Sequence, residues 1–504
     1  MQYFMGIDVG TQSIRVSLFD ENLSVAAFNS TPQFINVSAP GRATQNPDFW
    51  WDAVCSGISS LIKRSNINPA DIVSVGCCAH MHGVVPVDKN GEVLDKNAQL
   101  YCDKRTDRLV EMYRASNYTD EIHKITGNVP ASNWQGLKIK WLKENSPRVY
   151  EAAYKFLTPK DFINFKLTDN FYTDPSEASG TMAMDASNDN WRKDLFNLLD
   201  IDGEKMPDIA PSFSVIGKIS EQTASKTGLN TETSVAAGAG DMPTSMYLCG
   251  IYKGNIFIDQ SATTGVIAGY SDSPVFDKRL QNLRCPNSGW IVFRSTDGSG
   301  ATLRWLKDNV AAEKTAEAEK NGINAYDFLT AEALKTSPGA ENLIFLPHFL
   351  GERSMGSMRA RGAFLGLDLN TSLPQMSRAV LEGVAFELKR SIDALEDNNL
   401  IGEAVYHISG GAKSPAWSQI KADIYNKPVY TLKGSEDSVL GAALIGAVAA
   451  GYFSSPEEAA ERVFALSDAY YPNPENKSVY EDLYQIFCGF HDAVEPVYEK
   501  MNVR

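Results

Sequence analysis

The segment from Gly6 to Arg15 carries residue types that bind phosphate and a metal ion. Two β-rich runs, YFMGIDVG and SIRVSLFD, flank a polar Gly-Thr-Gln turn and predict a hairpin. At its tip, N–H groups and hydroxyls can bind phosphate oxygens, an aspartate can hold a metal ion, and an arginine adds positive charge. The same residue types also suit a tight turn without a ligand. The candidates are Asp8, Gly10, Thr11, Gln12, Ser13 and Arg15.

A second turn of the same kind lies near the middle of the chain. The runs NIFIDQ and GVIAGY flank the small polar residues from Ser261 to Thr264. Two such tips facing each other across a cleft could bind a triphosphate from both sides, with Thr263, Thr264 and Gly265 as the second phosphate loop. A threonine-rich edge hairpin without a ligand remains the alternative.

A pair of glycines follows the short strand AVYHI and precedes a helix. Gly410 and Gly411 would let a flat base or a phosphate approach the backbone, and the N-terminus of the next helix favours negative charge. A Gly-Gly pair in this position is also a common turn.

Asp241 follows a strand and a turn of small residues, and we expect a helix to begin at Met242 or Pro243. One interpretation is an N-cap aspartate with proline just inside the helix. The other is a general base that accepts the proton of an attacking hydroxyl, because phosphoryl transfer needs an oriented nucleophile.

Polar residues also cluster in Cys77 to Gly83 and Tyr101 to Thr106. His82, Asp103 and Arg105 could hydrogen-bond a polyol there, although each could equally be a structural residue.

The two hairpins indicate a repeated plan, in which each half of the chain opens with a strand, a hydroxyl-bearing turn and another strand. Helical segments such as Phe49 to Ser65 and Gly136 to Glu144 alternate with strands such as Ile72 to Cys78. This alternation predicts an α/β fold with mixed sheets. We expect two domains, residues 1–250 and 251–504, with the boundary near 250–254.

Composition excludes several classes of function. The 504 residues exceed one hydrophobic core, and a net charge of −15 argues against a nucleic-acid partner. The longest apolar run, Val439 to Phe453, is too short to span a bilayer and predicts a buried helix. Seven cysteines without CxxC spacing argue against a zinc site or a disulfide framework. We therefore expect no membrane partner and a cytoplasmic location.

Taken in this order, the segments resemble the FGGY carbohydrate kinases, and among them the xylulose kinases, over nearly the whole chain. The second signature of that family is matched within GAFLGLDLNTSLPQMSRAVLE, whereas the first is matched only in its later half, Lys138 to Asn145. Further similar stretches are Leu157 to Phe162, Thr173 to Asp185 and Phe345 to Ser354. The matching residues of the second signature are Gly362, Phe364, Gly366, Leu367, Gln375, Met376, Ala379, Val380, Leu381 and Glu382.

The resemblance implies two domains of the actin, hexokinase and Hsp70 type around a cleft, with ATP, Mg²⁺ and a small sugar as ligands and a homodimer left open. Asp8 then becomes the carboxylate that holds Mg²⁺, and Asp241 becomes the catalytic base. The implied sugar contacts are Met81, His82, Gly83, Asp103 and Met242. The implied nucleotide contacts are the two phosphate loops and Gly410, Gly411, Ala412 and Ser414.

The chain departs from the family pattern at positions in the implied sugar pocket and in the second phosphate loop. Tyr101 and Cys102 replace the first residues of a W-N-D segment, Met242 replaces a polar residue, and Ala262 replaces a glycine. We expect phosphorylation of D-xylulose. Kinases for L-fuculose, L-xylulose, ribulose, glycerol or erythritol stay open, as does a non-kinase ATPase of the same fold.

Overall fold

A computed structural model describes residues 1–352, 358–434 and 437–501 of the chain. Arg353 and Ser354, the last residues of the similar stretch that begins at Phe345, lie outside them. The strands of the first half are β1 Tyr3–Val9, β2 Ser13–Phe19, β3 Val25–Pro32, β4 Thr44–Gln45, β5 Ile72–Ala79, β6 Val85–Val87, β7 Ala98–Gln99, β8 Lys155–Leu157, β9 Tyr172–Thr173, β10 Met184–Asp185, β11 Asn190–Trp191, β12 Asp208–Ile209, β13 Val215–Lys218 and β14 Ser234–Ala236. The strands of the second half are β15 Ile256–Ser261, β16 Gly265–Ser271, β17 Gln281–Arg284, β18 Trp290–Thr296, β19 Ile344–Leu346, β20 Ala363–Leu365, β21 Ala404–Ile408, β22 Val429–Leu432 and β23 Leu466–Tyr470.

Two large mixed sheets organise these strands on the same plan. The first has the order β3-β2-β1-β5-β14-β13, and the second has the order β17-β18-β16-β15-β21-β22-β23. In each sheet an antiparallel hairpin, β1 with β2 or β15 with β16, is followed by a strand parallel to the first strand of the hairpin. The predicted α/β class and both predicted hairpins are confirmed. The boundary near residues 250–254 stays a prediction.

Helices cover the faces of the sheets. They are α1 Pro47–Ser65, α2 Asp107–Arg114, α3 Tyr118–Thr126, α4 Gln135–Asn145, α5 Pro147–Ala152, α6 Pro159–Thr168, α7 Pro175–Ser179, α8 Lys193–Leu199, α9 Glu221–Thr227, α10 Asp241–Leu248, α11 Gly300–Trp305, α12 Ala312–Lys320, α13 Ala325–Ala333, α14 Leu373–Glu396, α15 Pro415–Tyr425, α16 Ser438–Ala449, α17 Pro456–Glu461 and α18 Lys477–Tyr498. Within the described parts of the chain, none of them is long and apolar enough to cross a membrane.

Local capping explains where the site-forming helices begin. Asn46 accepts a hydrogen bond from the N–H of Asp48, and Pro47 is the first residue of α1, so that helix begins two residues before the predicted Phe49. Helix α10 begins at Asp241 with Gly240 at the N-cap, earlier than the predicted start at Met242 or Pro243. The N-cap interpretation of Asp241 is therefore wrong, because this residue already has helical backbone geometry.

The glycine- and alanine-rich helix α16 packs against the first sheet, although it comes from the far end of the chain. A Cβ atom on Gly6 would lie 2.0 Å from the carbonyl oxygen of Val439, and one on Gly76 would lie 1.8 Å from that of Ala442. Glycines in β1 and β5 are thus required for this close approach. The packing places the N-terminus of α16 beside the tip of the first hairpin.

Candidate functional site

Asp8 lies at the end of β1, and it is almost completely buried at 1% exposure. Its Oδ2 atom accepts hydrogen bonds from Arg15 and from the hydroxyl of Ser438, the latter at 3.0 Å. Its Oδ1 atom has no hydrogen-bond partner among the described residues. A buried carboxylate oxygen without a partner is a suitable ligand for Mg²⁺, so the residues present fit the metal that the resemblance implies.

The guanidinium of Arg15 is already bound by protein side chains and is not free to bind a phosphate. Its Nη1 atom also binds Asp437 Oδ1 at 2.9 Å and its Nη2 atom binds the Ser438 hydroxyl at 2.8 Å. Burial lowers the pKa of this guanidinium, but the charges of Asp8 and Asp437 outweigh that effect and raise it overall. The arginine therefore orients Asp8 and ties the hairpin to α16.

The tip of the first hairpin is a tight turn that two glutamines support. The N–H of Gly10 donates to the carbonyl of Ser13 at 3.0 Å, and Gln45 Nε2 donates to the carbonyl of Thr11 at 2.8 Å. Gln33 binds the carbonyl of Gly10 through its side chain. Gln12 is exposed at the tip, whereas Thr11 and Ser13 are half-buried.

The second hairpin tip rests on the start of α11. The N–H of Gly300 donates to the carbonyl of Ala262 at 2.8 Å, and the N–H of Ala301 donates to that of Thr263 at 3.0 Å. Thr263 is exposed and Thr264 is half-buried, while Gly265 is buried.

A cavity of about 540 Å³ joins this second tip to the predicted glycine pair. Gly411 packs closely against the tip, since a Cβ atom there would lie 2.7 Å from that of Ser261. Ser414 caps α15 by accepting a hydrogen bond from the N–H of Trp417. The cavity is large enough for a nucleotide base and ribose. It is lined by Ser261, Ala262, Thr263, Gly300, Leu303, Arg304, Asn324, Tyr326, Asp327, Thr330, Gly410, Gly411, Lys413, Ser414 and Trp417.

Residues at the start of helix α13 also line this cavity and were not predicted from the sequence. They include Asn324, Tyr326 and Asp327. These residues form no phosphate-binding pattern in the sequence, and only tertiary packing brings them to the cavity. Ala412 lies in the 3₁₀ turn that follows the strand β21, next to the cavity-lining glycines.

Asp241 has the electrostatic properties of a general base. Burial first, and then the negative charge of nearby Asp8, raise the pKa of Asp241 from 3.8 to about 7. Its Oδ1 atom accepts the N–H of Met242 at 2.8 Å. A carboxylate whose pKa lies near neutrality is well matched to accept a proton from an alcohol during catalysis.

The predicted sugar-binding turn lies next to Asp241. Met81 contacts Gly240, since a Cβ atom on that glycine would lie 2.6 Å from the methionine sulfur. His82 adopts a left-handed φ of 65°, which is uncommon outside glycine and concentrates at functional sites. Gly83 packs against Pro159 so closely that a side chain would not fit. A Cβ atom on Gly83 would lie 2.6 Å from the proline ring.

His82 is buried and neutral. Burial, with the positive charge of Lys138, lowers the pKa of this histidine to about 3. Its Nδ1 atom is buried and finds no hydrogen-bond partner within the described ranges, while its carbonyl accepts Lys138 Nζ at 2.8 Å. The ring packs edge-on against Trp134. The Nδ1 atom faces the backbone of Gly180, so the segment after α7 helps to orient the ring.

Asp103 is buried and its oxygens already have protein partners. Arg105 donates to both oxygens at 2.8 Å, and the N–H of Ala43 donates to Oδ2 at 2.8 Å. The carboxylate therefore fixes Arg105 and the loop at Ala43. Met242 is half-buried and packs against the same apolar cluster as Met81.

A further group of possible metal ligands lies in the second half of the chain. His348, Glu352 and His491 are buried, with ligand atoms within 4.8 Å of one another. However, Arg294 binds both Glu352 and Glu387, and His491 binds Glu352 at 2.7 Å. A metal ion there would compete with an arginine for the same carboxylate, so the group is better described as an ion-pair network of the core.

Known proteins share both the sequence pattern and the fold of this chain. Residues 3–247 match the N-terminal domain model of the FGGY family of carbohydrate kinases, and residues 261–450 match its C-terminal domain model. The chain is 29% identical to a xylulose kinase of Bacillus subtilis over 497 residues, covering 97% of each protein. Its structure is similar to that of a ligand-bound xylulose kinase from Lactobacillus acidophilus, with 26% identity, a TM-score of 0.91, and coverage of 99% and 100% of the two chains. It is also similar to that of a gluconate kinase from the same organism, with 26% identity, a TM-score of 0.90 and 99% coverage of each chain.

Proposed function

Because this chain belongs to the FGGY family of carbohydrate kinases, we propose that it transfers the γ-phosphoryl group of ATP to a hydroxyl group of D-xylulose, giving D-xylulose 5-phosphate. That the chain is a carbohydrate kinase follows from the family. D-Xylulose as the substrate is our proposal, and it is supported by the similarity to xylulose kinases.

The observation that carries the proposal is the pair formed by Asp8 and Asp241. One carboxylate has a free buried oxygen, and the other has a pKa raised to about 7 and lies within its electrostatic reach. A free carboxylate oxygen suits Mg²⁺, and a base with a pKa near 7 suits a sugar hydroxyl. Phosphoryl transfer requires these two functions and little other covalent chemistry from the protein.

The ligands would be placed on opposite sides of these two residues. We assign the sugar to Met81, His82, Gly83 and Met242, and the nucleotide to the cavity beside the second hairpin tip. The hydroxyl and N–H groups of the two tips would contact the phosphates between them. Mg²⁺, when bound at Asp8, would neutralise charge on the phosphate oxygens. Asp241 would accept the proton of the attacking hydroxyl.

Phosphorylation of candidate sugars by the purified protein tests the proposal. We expect D-xylulose to stimulate ADP release and to appear as a phosphate ester in equal amount. ADP release that is independent of every sugar tested would instead favour an ATPase on the same fold.

A sugar acid is the second candidate substrate, since the fold is equally similar to that of a gluconate kinase. A sugar acid carries a carboxylate, so the charged residues near Asp241 affect which of the two substrates would bind.

A further inference from the structure

Glu177 is a buried acid in helix α7, within the family-like stretch Thr173 to Asp185. It is 1% exposed, and neither carboxyl oxygen has a hydrogen-bond partner among the described residues. Buried polar atoms without partners are rare in folded proteins, and each one calls for a physical explanation such as a bound ligand or water. Two such atoms on one side chain mark a position where a polar ligand would be stabilised.

Residues on either side of Glu177 contact Gly240 and His82, next to the proposed base and in the proposed sugar-binding turn. The hydroxyl of Ser176 accepts the N–H of Gly240 at 3.0 Å, directly before the proposed base Asp241. Gly180, three residues after Glu177, packs against His82. A Cβ atom on Gly180 would lie 2.6 Å from Nδ1 of His82. The segment that holds Glu177 therefore contacts both the residue before Asp241 and the ring of His82.

The charges around Glu177 favour its uncharged form. Lys160 binds Asp161 at 2.6 Å and Asp174 at 3.2 Å, so its charge is already balanced by two carboxylates. Burial first, and then the charge of Asp161, raise the pKa of Glu177 well above its ordinary value. An uncharged carboxyl group carries a proton that it can donate in a hydrogen bond.

We propose that Glu177 is a substrate contact, that its uncharged carboxyl group donates a hydrogen bond to an oxygen of the sugar, and that this pocket selects a neutral sugar over a sugar acid. The proposal rests on the proposed kinase function and specifies its substrate class.

The cations near the pocket support the selection of a neutral sugar. Arg105 is bound by both oxygens of Asp103, and Lys160 is paired as described above. Lys138 donates to the carbonyl of His82, and burial lowers its pKa to about 7, which makes it a weak counter-ion. Arg15, whose charge also acts on Asp241, is paired with Asp8 and Asp437. A substrate carboxylate would thus approach Asp241 without an unpaired strong cation to balance it, and burying an unbalanced charge is costly.

Two variants of Glu177 separate a donor from a structural residue. In Glu177→Gln the side-chain amide keeps a proton donor of the same size, so we expect the KM for D-xylulose to stay within about threefold of the wild-type value. In Glu177→Met the donor is lost, and we expect that KM to rise about 10- to 100-fold with the KM for ATP unchanged. Glu151→Gln, at an exposed position of α5, serves as the control for a change of surface charge.

Each outcome of these measurements decides the proposal. An unchanged sugar KM in Glu177→Met would overturn it, and so would an equal loss in Glu177→Gln, because that result would mean that an ionised carboxylate is required. The wild-type protein gives a test that needs no folded variant: a kcat/KM for D-gluconate equal to or above that for D-xylulose would also overturn it. If no sugar is phosphorylated, the proposed function fails as well. If D-xylulose is phosphorylated and only the Glu177 expectations fail, the kinase function stands.

Discussion

Replacing Asp241 with Asn keeps the size of the side chain and its place at the start of α10, but it removes the ability to accept a proton. Because Oδ1 of Asp241 binds the N–H of Met242, and the amide oxygen of Asn can accept the same bond, the helix should form normally. Loss of a general base typically lowers turnover by about 100- to 10,000-fold. We expect the kcat on D-xylulose to fall within that range.

The pH dependence of kcat/KM provides a second, independent test of Asp241 as the base. With a pKa of about 7, Asp241 is half ionised at neutral pH and about 1% ionised at pH 5. The wild-type kcat/KM should therefore rise from pH 5 to a plateau above pH 8, by roughly 100-fold in total. In Asp241→Asn this rise should be absent over the same range.

The same pKa shift predicts the sign of a stability change. The pKa of Asp241 is higher in the folded than in the unfolded protein, so ionising this carboxyl group lowers the free energy of unfolding. This loss of stability is absent below pH 4 and complete above pH 7. Asp241→Asn should therefore raise the free energy of unfolding at pH 8 and leave it nearly unchanged at pH 4. A shift from 3.8 to about 7 sets an upper limit of about 4 kcal/mol, which solvent access reduces.

Steady-state kinetics and urea denaturation of both proteins provide the assay, with circular dichroism to establish folding. If the folded Asn variant turned over within threefold of the wild type, or if the wild-type kcat/KM were flat between pH 5 and 8, the assignment of Asp241 as the base would be wrong.

Three further changes test other parts of the structure. Asp8→Ala should abolish Mg²⁺-dependent turnover while calorimetry shows sugar affinity within about threefold of wild type, because the metal contacts the phosphates; equal losses in both would indicate a structural role. Met242→Asn should increase the kcat/KM ratio of D-xylulose over the deoxy-ketose L-fuculose, because methionine cannot donate a hydrogen bond to a sugar hydroxyl, and an unchanged ratio would remove Met242 from specificity. Gly76→Ala should lower the free energy of unfolding in urea by about 1–3 kcal/mol, since its Cβ atom would lie 1.8 Å from the carbonyl oxygen of Ala442. Gly489→Ala, which meets no atom within 4 Å, is the control and should not destabilise the protein.

The parts of the site that form locally could be predicted from the sequence. Each hairpin is formed by two strands and a turn that are adjacent in sequence, and the glycine pair at 410–411 directly follows its strand, so the pattern of strand and turn residues predicts them. The helix of small apolar residues was predicted in the same way, because its composition alone indicates close packing.

Contacts between distant segments could not be predicted. Ser438 binds Asp8 across 430 positions, and this contact exists because α16 packs on Gly6 and Gly76. The ion pair between Arg15 and Asp437 also forms because α16 packs on the first sheet. The sequence therefore suggests a phosphate ligand at Arg15, where the structure has an ion pair. Glu177 lies in the family-like stretch Thr173 to Asp185, but its residue type there indicates no role, and only its burial near Asp241 distinguishes it.

The most direct test of the whole account is to follow the γ-phosphoryl group of ATP by ³¹P NMR while the purified protein acts on D-xylulose with Mg²⁺ present. We predict that ADP and a sugar phosphate monoester appear in a one-to-one ratio, and that inorganic phosphate stays at the level of a reaction without protein. ADP accompanied by inorganic phosphate, with no sugar phosphate, would contradict the account.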